Sequence, residues 1–486
     1  MSANFISPVF ELTAENDVRI HVDNSDSKYS GIAFAGIKKT LTSLSAKLAE
    51  LGAGNVVVVQ GLPADLCTMV TLATWHSGNI VAVIDEQMST VKQQQLVGML
   101  DPVLYLSNHQ PQMILAEKVK FFNLAEDLSA QDFEDWIAAT EPCSGRNSYT
   151  WHDRQCALVL FTSGSTGIPK GVKHSLQNLL ISAQLFASQF AITGQDHIMN
   201  MAPIHTMSGF RCTIILPLLS NCHCNLDPIE GNLSTVVDTL SEANYSVLIL
   251  GPNLIETLAP VCDRIAGFEN IRLILCTGAK LSRQTRELVW SKLATPIVDY
   301  YGLTETCGIV IAESTQNYDP SSNYLGRACG DVKLRVVSNA GRESQWGEGQ
   351  LRVYSKTIFL GYWGLPCQNV AYFDTKDRVT ITNDGQVQLL GRMDRSLKNE
   401  STLWLHPEAV ESWFEHSGVI KDYAISTTNN MLNIYVVLQD NSNLDVVKKQ
   451  MIDDLGTEYQ SSRWMATTTI PRTNLGKIIW DTLNHE

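Results

Sequence analysis

The sequence predicts an α/β fold, in which a large N-terminal domain of stacked α/β subdomains carries a β subdomain and is followed by a small, mobile α+β C-terminal domain. Three observations predict it: buried strand-like runs between helix-length segments, a change to short alternating strands near Gly326, and a final helical and stranded stretch of about 90 residues. With 486 residues, 44% of them hydrophobic and 18% charged, the chain has apolar material for more than one core.

Short runs rich in Val, Ile and Leu predict parallel strands that are buried on both faces, because helix-length segments separate them. The runs are 55–59, 80–84, 156–161, 245–250, 271–276 and 296–300. Two of them end in glycine-bearing loops, Gly251-Pro252 and Thr277-Gly278-Ala279. Because open α/β sheets bind ligands outside the carboxyl ends of their strands, we expect these loops to face a ligand.

The pattern changes after Gly326 to alternating residues punctuated by turns, which predicts a β subdomain. Its strands are expected at 333–337, 350–354, 379–382 and 386–389, with Asn383-Asp384-Gly385 as a hairpin turn between the last two. A helix is predicted at 407–416 because it opens with proline and carries acidic residues in its early turns. We place the domain boundary after Arg392, giving domains 1–392 and 393–486.

The charge and the apolar pattern exclude several classes of partner. A formal net charge of −14 disfavours nucleic acid and anionic lipid as surface partners, so binding is expected in a pocket. No apolar run approaches the roughly 20 residues that span a bilayer, and the N-terminus lacks a secretory pattern, which predicts a cytoplasmic protein without a membrane span.

The eleven cysteines are scattered without a paired framework, so we expect them to be reduced and mostly buried. The cluster Cys222-His223-Cys224 suggests a metal site. However, strand alternation would direct His223 away from the two thiols, and further ligands at a metal-binding spacing are absent. A metal at this cluster is therefore disfavoured.

The most informative motif is a strand that runs directly into hydroxyls, glycines and a lysine. The residues concerned are Thr162-Ser163-Gly164-Ser165-Thr166-Gly167-Ile168-Pro169-Lys170-Gly171. Hydroxyl donors and glycine backbone groups approach phosphate oxygens closely, and Lys170 adds a mobile positive charge. The spacing does not match a Walker A loop, which requires Gly-Lys-Ser/Thr. An isolated Ser-Gly-Ser would be a solvated turn, but the length of this pattern predicts a polyphosphate loop.

A second motif, Asp299-Tyr300-Tyr301-Gly302-Leu303-Thr304-Glu305-Thr306, is again a strand that leads into a turn. Tyr301 can stack on a base, Thr304 can donate to a phosphate, and Glu305 offers a carboxylate to Mg²⁺. In isolation, Glu305 would fit a solvated turn and the tyrosines would fit a core. A third segment, 470–478, is a proline-led turn that presents Lys477 before an apolar stretch.

Together, in this order and at these separations, the three motifs resemble the adenylate-forming superfamily, which includes acyl-CoA and aryl-CoA synthetases, nonribosomal peptide synthetase adenylation domains and luciferases. Further segments fit in order: 77–85, Pro203-Ile204-His205, Thr277-Gly278-Ala279, Gly361-Tyr362, Asp377, and Arg392 with Asp394. The resemblance covers essentially the full chain. It implies that a carboxylate attacks the α-phosphate of ATP, giving acyl-AMP and pyrophosphate, and that a thiol then takes the acyl group.

The resemblance also implies a role for each matching residue. The loop from Thr162 to Lys170 would hold the β- and γ-phosphates, and Thr304 would contact the α-phosphate. Glu305 would bind Mg²⁺, and Lys477 would bridge the substrate carboxylate and the developing phosphate charge, where a cation is a large catalytic factor. The nucleoside would be held by Tyr301, Gly278 and Ala279 at adenine and by Asp377 and Arg392 at the ribose. Asp394 would be the hinge about which the C-terminal domain turns between half-reactions.

Two departures from the family pattern concern nucleotide and thiol binding. Lys376 replaces the usual glycine in Thr375-Lys376-Asp377, although the carboxylate that would bind ribose remains. After Lys398, a glycine of the pattern is replaced in the segment Asn399-Glu400-Ser401. In relatives that glycine loop lines the approach of a phosphopantetheine arm, and glycine permits a close backbone approach. The thiol-transfer step is therefore where this chain departs most.

The segment from Pro203 to Phe210 bears on the choice of acid. Relatives that activate amino acids carry an aspartate there for the α-ammonium, whereas this segment has no carboxylate. Because an unpaired buried ammonium is strongly disfavoured, an aryl or aliphatic acid is predicted, with His205 at the gate of the acid pocket. A hydrogen-bonded core histidine is the alternative for His205.

The acceptor is either coenzyme A or the phosphopantetheine of an acyl carrier protein, and the altered loop favours the carrier protein slightly. Two other functions stay open from the sequence. One is an amino acid adenylation enzyme that loads a carrier domain. The other is a catalytically degraded nucleotide-binding scaffold, which the changes at Lys376 and Glu400 suggest.

Overall fold

The fold is taken from a computed structural model of the full chain. The structure describes residues 8–12, 18–22, 34–110, 113, 115–124, 132–136, 149–162, 169–225, 233–276, 278, 281–338, 340–368, 370–393, 397–398, 404–405, 407–428, 431–439, 442–472 and 478–483. Within these ranges it is a mixed α/β protein with two seven-stranded sheets, a five-stranded antiparallel sheet and a smaller C-terminal α+β unit.

The first sheet contains the strand that ends at Thr162. Its middle strands are parallel, and two antiparallel strands close one edge. In spatial order the strands are Gly361–Tyr362, Lys170–Ser175, Cys156–Thr162, Ile80–Ile84, Val56–Gln60, Leu104–Ser107 and Lys120–Asn123. The two central parallel strands are buried at every residue, as continuous Val and Ile runs predict. A separate small antiparallel sheet combines Pro8–Leu12, Val18–Val22 and Thr150–Trp151.

The second sheet contains the strand that carries Tyr301. Five strands are parallel, and the two at one edge are antiparallel. In spatial order the strands are His223–Cys224, His197–Asn200, Val247–Leu250, Leu273–Cys276, Ile297–Leu303, Gly308–Ala312 and Arg327–Ala328. The parallel α/β layering predicted from the apolar runs is thus confirmed, although several runs begin or end one to three residues away from the observed strands.

Helices cover these two sheets. They are Phe34–Glu50, Ala64–His76, Thr90–Leu100, Leu176–Gln189, Leu233–Glu242, Pro252–Leu258 and Arg283–Leu293, together with short 3-10 turns at Cys262–Arg264 and Phe268–Asn270. A further continuous helix consists of an α-helical turn Met207–Phe210, a π-helical turn Arg211–Ile215 and a second α-helical turn Leu216–Ser220. No helix within the described ranges is both long enough and apolar enough to cross a membrane.

The β subdomain forms a third, fully antiparallel sheet. Its order is Glu343–Ser344, Lys333–Val337, Gly347–Tyr354, Tyr372–Ile381 and Val387–Arg392. Gly385 lies in the turn between the last two strands at φ +86°, as expected for the predicted hairpin. The strand Tyr372–Ile381 begins seven residues earlier than predicted, and it includes Asp377.

The C-terminal unit has the α+β composition that the sequence predicts. Its helices are Pro407–Ser417, Leu444–Leu455 and Trp480–Leu483, with a 3-10 turn at Thr457–Ser461. Its sheet pairs Ile420–Thr428 with Met431–Leu438 and the latter with Arg463–Ala466, and a separate pair joins Leu397–Lys398 to Trp404–Leu405. Its hydrophobic cluster contains Val410, Phe414, Ile434 and Met451. The boundary after Arg392 stays a prediction.

A cluster of buried aromatic groups anchors the first sheet to its helices. The Trp75 side chain is fully buried, and its indole Nε1 donates to the Ala157 carbonyl at 2.9 Å. Its ring meets Phe210 edge to face, with centroids 6.0 Å apart. Trp151 in turn donates to the Trp75 carbonyl at 2.9 Å. Trp75 therefore joins the helix Ala64–His76, the first sheet and the helix that begins at Met207.

Most of the described cysteines are buried, and the structure shows them as free thiols.

Replacing Trp75 by alanine tests this anchor. We expect Trp75→Ala to lower the free energy of unfolding by about 3–5 kcal/mol, because a large cavity and an unpaired Ala157 carbonyl remain. Denaturant titration followed by circular dichroism measures the change. The matched control is Trp346→Ala, since Trp346 is 55% exposed and its removal should change stability by about 0.5 kcal/mol or less. Equal losses in the two variants would contradict the assignment.

Candidate active site

The predicted polyphosphate loop connects two antiparallel strands of the first sheet. Thr162 and Lys170 are register partners, so the strands Cys156–Thr162 and Lys170–Ser175 form a hairpin, and these two residues are paired at the end where the loop joins it. Ser163, Gly164, Ser165, Thr166 and Gly167 lie outside the described residues. Thr162 is half-buried and Lys170 is exposed. The two ends of the loop are therefore fixed by the sheet, and the lysine is accessible to a ligand.

Tyr362 links Lys170 to Glu305. The Lys170 Nζ atom lies 5.3 Å from the centre of the Tyr362 ring, and the Tyr362 hydroxyl donates to Glu305 Oε1 at 3.0 Å. Burial and the neighbouring Glu305 raise the pKa of Tyr362, so its hydroxyl stays protonated and acts as a donor. From the sequence, Gly361-Tyr362 was predicted only as a segment that matches the family. The structure places this tyrosine between two predicted ligand-binding residues.

The turn that carries Thr304 and Glu305 is held by backbone and hydroxyl contacts. It is a 3-10 turn, Thr304–Thr306, in which the Thr306 hydroxyl accepts from the Leu303 amide at 2.9 Å. The Glu305 carbonyl accepts from the Phe359 amide at 2.9 Å, and the Thr306 carbonyl accepts from the Thr357 hydroxyl at 2.9 Å. The segment 357–362 thus supports both the turn and Tyr362, which fixes the Glu305 side chain beside the hairpin.

A buried histidine lies behind this turn. His174, on the strand Lys170–Ser175, is fully buried, and neither ring nitrogen has an aligned hydrogen-bond partner among the described side chains. Burial lowers the pKa of His174 to about 3, and the Thr304 backbone beside the ring offsets this only in part. The imidazole ring is therefore neutral at physiological pH. It packs between the hairpin and the Thr304 turn.

Tyr301, Asp377 and Arg392 form a second cluster. The Tyr301 hydroxyl donates to Asp377 Oδ2, and Arg392 Nη1 lies 3.3 Å from Asp377 Oδ1. The Asp377 side chain is 5% exposed, whereas that of Arg392 is 41% exposed. Burial, followed by the Asp377 charge, raises the pKa of Tyr301 well above its ordinary value. Three residues assigned to nucleoside binding are thus adjacent in space although 76 residues separate the first two.

A β-bulge directs Asp377 into this cluster. The register of the strands Gly347–Tyr354 and Tyr372–Ile381 shifts between Gln350 and Arg352, opposite the residues around Lys376. Lys376 has φ +64°, in the left-handed region that favours glycine. This conformation explains why the family pattern has glycine here. The lysine adopts it at a cost of roughly 1 kcal/mol, and the position of Asp377 is kept.

His205 lies at the start of the helix that begins at Met207, beside an aspartate. Its Nδ1 atom is 3.6 Å from Asp85 Oδ1, and both side chains are about 30% exposed. Thr206 caps the helix by accepting from the Gly209 amide at 3.1 Å. Asp85 follows the strand Ile80–Ile84, so the pair sits at the carboxyl end of the first sheet. This pairing of His205 with Asp85 was not predicted from the sequence.

The remaining predicted residues are described in part or not at all. Gly278 is exposed with φ +101°, which suits a glycine turn after the strand Leu273–Cys276. Ala279, Asp394, which is predicted to be the hinge, and Lys477, which is predicted to be catalytic, lie outside the described residues, as do Asn399, Glu400 and Ser401. A cavity of about 320 Å³, lined by Asp319, Ser321, Ser322, Asn323, Tyr324 and Gln388, contains none of the predicted site residues.

The residues that flank Lys477 are nevertheless held in place. Arg472 and Ile478 form a β-bridge, and Arg472 donates to Asp422 Oδ1 at 2.7 Å. Partial burial raises the pKa of Glu256, and the Arg472 charge opposes this shift. Glu256 is on the helix Pro252–Leu258, which follows a strand of the second sheet at its carboxyl end. Arg472, which precedes the segment that carries Lys477, is therefore close enough to Glu256 of the large domain for its charge to affect that carboxyl group.

A model of the AMP-binding enzyme family matches residues 14–363, a span that includes the hairpin from Thr162 to Lys170 and the turn with Thr304 and Glu305. The chain belongs to this family. The match ends before Asp377 and Arg392, so it does not extend to those two residues. Two of the three sequence motifs, 162–171 and 299–306, lie within the matched span, whereas the third, 470–478, lies beyond it.

Proteins similar to this chain include two CoA ligases and a solved coenzyme A synthetase of the same fold. The chain is 24% identical over 446 residues to a 2-succinylbenzoate–CoA ligase, chloroplastic/peroxisomal, of Arabidopsis thaliana, covering 81% of this chain and 78% of the relative. It is 24% identical over 357 residues to the medium-chain fatty-acid–CoA ligase of Escherichia coli, covering 70% and 61%. The solved O-succinylbenzoate coenzyme A synthetase from Bacillus subtilis with AMP superposes at a TM-score of 0.77, with 17% identity and 94% of each chain covered. The predicted large and small domain arrangement is confirmed by this fold.

His174 predicts a pH dependence of stability. Its pKa is about 6.5 in an unfolded chain and lower in the fold, so its contribution is complete above pH 6.5 and is lost as the pH falls toward 3. Between pH 7 and pH 5 we expect the protein to lose about 2 kcal/mol from this group. His174→Gln should lack that part of the loss in thermal unfolding at the two pH values.

The matched control for this prediction is His152→Gln, because His152 is exposed. It should keep the pH dependence of the unchanged protein. The interpretation of His174 is wrong if His174→Gln and His152→Gln lose the same stability between pH 7 and pH 5.

Asp377→Asn tests the second cluster. We expect the dissociation constant for ATP to rise about 10- to 100-fold, because a charged acceptor for Tyr301 and for a ribose hydroxyl is replaced by a neutral one. Isothermal titration measures it. The matched control is Asp374→Asn on the same strand, whose carboxylate instead pairs with Arg352 at 2.7 Å. If both variants bind ATP equally well, Asp377 has no part in nucleotide binding.

Proposed function

We propose that the protein activates a small-molecule carboxylic acid with ATP and transfers the acyl group to the thiol of coenzyme A. In the first half-reaction a carboxylate oxygen bonds to the α-phosphorus, and the bond from that phosphorus to the bridging oxygen breaks, so pyrophosphate leaves. In the second, the thiol sulfur bonds to the acyl carbon, the thiol gives up its proton, and AMP leaves. This is an AMP-forming acid:thiol ligase.

The observation that supports this proposal is the position of one short segment between two clusters. Tyr301 reaches Asp377 and Arg392, while Glu305, four residues later, reaches Tyr362 beneath Lys170. One cluster offers an aromatic ring and a buried carboxylate, which suit a base and ribose hydroxyls. The other offers a lysine and a glycine-hydroxyl hairpin, which suit phosphates. A nucleoside polyphosphate is the ligand that matches both.

Each residue then has a defined task. Asp377 accepts from ribose hydroxyls, Arg392 holds that carboxylate, and Tyr301 flanks adenine beside Gly278 and Ala279. The loop Thr162, Ser163, Gly164, Ser165, Thr166, Gly167 and Lys170 binds the β- and γ-phosphates, with Thr304 at the α-phosphate. Lys477 places a positive charge where negative charge accumulates during attack, which is commonly the largest electrostatic contribution to catalysis.

The position of Glu305 suits a residue that binds Mg²⁺. Its Oε1 accepts from Tyr362, its side chain is half-buried, and the hairpin lysine is close by. Mg²⁺ is commonly bound by one or two carboxylates together with substrate phosphates, so a single carboxylate at this place is sufficient. When bound, the ion would neutralise phosphate charge. Tyr362 would orient Glu305 for that contact, and Lys170 would share the phosphate charge.

The acid pocket begins at His205. An amino acid substrate is disfavoured because the segment from Pro203 to Phe210 carries no carboxylate, and the neighbouring Asp85 faces His205. Coenzyme A is proposed as the acceptor because the similar proteins named above are CoA ligases. The slight preference of the sequence analysis for a carrier protein finds less support. Rotation of the C-terminal unit about Asp394 would switch the enzyme between the two half-reactions. The cytoplasmic location of the protein stays a prediction.

The experiment is acid-dependent exchange of labelled pyrophosphate into ATP, over a panel of aryl and aliphatic carboxylic acids. We expect exchange with some acids, and Lys477→Ala should lower its rate about 100-fold or more while ATP binding is retained. Lys449→Ala is the matched control, because Lys449 is exposed on the helix Leu444–Leu455 of the same unit. Absence of exchange with every acid, or equal rates for the two lysine variants, would contradict the proposal.

A further inference from the structure

A buried arginine lies six residues after His205, which is proposed to begin the acid pocket, and it has no role in the steps above. Arg211 begins the π-helical turn that follows Met207–Phe210, and it is 1% exposed. Its guanidinium carbon lies 4.3 Å from the centre of the Phe186 ring and 5.9 Å from that of Tyr300. An arginine keeps its charge in a protein interior, so a full positive charge is buried at this point.

The charge lacks an anionic partner in the part of the chain that the structure describes. No described carboxylate lies within 4.0 Å of the guanidinium, and its Nε and Nη1 atoms have no hydrogen-bond partner there. Nη2 contacts only the Cys212 sulfur, at 3.9 Å. The aromatic rings offset part of the cost of burial, but a charge in a protein interior is ordinarily paired and hydrogen-bonded.

The surrounding thiols do not supply the missing charge. Cys212, Cys307 and Cys329 are all buried around Arg211. Burial raises the pKa of Cys307 and of Cys329 to about 12, and it raises that of Cys212 as well. These groups therefore remain neutral at physiological pH. The counter-charge has to come from outside these side chains.

The backbone makes room for the guanidinium. Gly308 has φ +95°, and a Cβ atom built on it would clash with Arg211 Nη1. Gly308 follows the Thr304–Thr306 turn directly after Cys307, so the guanidinium lies immediately behind the turn that carries Glu305. Because Gly308 has no side chain, the Arg211 guanidinium can occupy this buried position.

Hydroxyl groups lie on the more open side of the same place. Ser208 and Tyr300 are half-buried and share a hydrogen bond between their hydroxyls. Ser208 is three residues after His205, and Tyr300 precedes Tyr301, so the pair lies where the acid pocket is proposed. Because both hydroxyl residues are half-buried and Arg211 is 1% exposed, a bound acid is expected to contact the hydroxyls on the more accessible side of Arg211.

We infer that the acid carries a second carboxylate, remote from the one that reacts, and that Arg211 binds it. This inference rests on the proposed function and specifies its substrate class. A carboxylate matches this planar guanidinium because it accepts two parallel hydrogen bonds from a pair of adjacent nitrogens, here Nη1, which has no partner in the described residues, and Nη2, which contacts only the Cys212 sulfur. The second carboxylate also neutralises the buried charge, and the flanking Ser208 and Tyr300 hydroxyls are suited to contact the chain between the two acid groups.

Matched acid pairs test this inference in the unchanged protein. Each pair is a monocarboxylic acid and the dicarboxylic acid of the same chain or ring, and the readout is kcat/KM in pyrophosphate exchange. We expect the diacid to be preferred about 100-fold in the best pair, because a buried charged contact is made only with the diacid. A preference for the monoacid in every pair would overturn the inference and leave the proposed function intact.

Arg211→Met carries the second test, with Arg283→Met as the matched control because Arg283 is 55% exposed on its helix. Replacing a buried unpaired charge by an apolar side chain of similar length is compatible with folding, and thermal unfolding checks it. Arg211→Met should abolish the preference for diacids and spare the monoacids, whereas Arg283→Met should change neither. An equal loss with both members of each pair would show a merely structural role and overturn the inference.

The two proposals fail in different ways. If no acid of either kind supports exchange, the proposed function is contradicted, and with it the substrate class. If monoacids support exchange and Arg211→Met leaves the preference between pair members unchanged, only the assignment of Arg211 is contradicted.

Discussion

The segment from Tyr301 to Glu305 is held at both ends by side chains from other parts of the chain, and the geometry of the site depends on these contacts. At one end the Tyr301 hydroxyl donates to Asp377, and at the other Glu305 accepts from Tyr362. The contact between Tyr301 and Asp377 joins the second sheet to the third. The contact between Glu305 and Tyr362 joins the end of the second-sheet strand to the first sheet. Because all three sheets meet on this segment, the separation between the two clusters is set by packed elements and not by a mobile loop.

The close approach of backbones at this segment explains its glycines. A Cβ atom at Gly302 would clash with the Gly308 carbonyl, so the strand and the turn could not pack as they do. Gly308 in turn leaves space for the buried Arg211. Lys376 shows the opposite case, since it keeps a left-handed conformation without being glycine, and Asp377 still reaches Tyr301. Local strain is thus accepted where it directs a side chain that the site uses.

Much of this arrangement could be predicted from the sequence, because its signals are local. Continuous Val and Ile runs predicted the buried parallel strands, and the residues from Thr162 to Lys170 and from Tyr301 to Glu305 predicted a nucleotide site at strand ends. Tyr362, His174 and the pairing of His205 with Asp85 were not predicted, because each depends on contacts between distant parts of the chain. The only sign of Arg211 in the sequence is a single charged residue within the mainly apolar stretch 210–216. Periodicity alone does not predict whether such a residue is buried or what it binds.

The most direct test of the central claim is a crystal structure of the protein with Mg²⁺ and a non-hydrolysable ATP analogue. The account predicts adenine beside Tyr301, ribose hydroxyls within hydrogen-bonding distance of Asp377, and the terminal phosphates in the hairpin between Thr162 and Lys170. Nucleotide density elsewhere, for example in the cavity lined by Asp319 and Tyr324, with the hairpin and the Asp377 cluster empty, would contradict it.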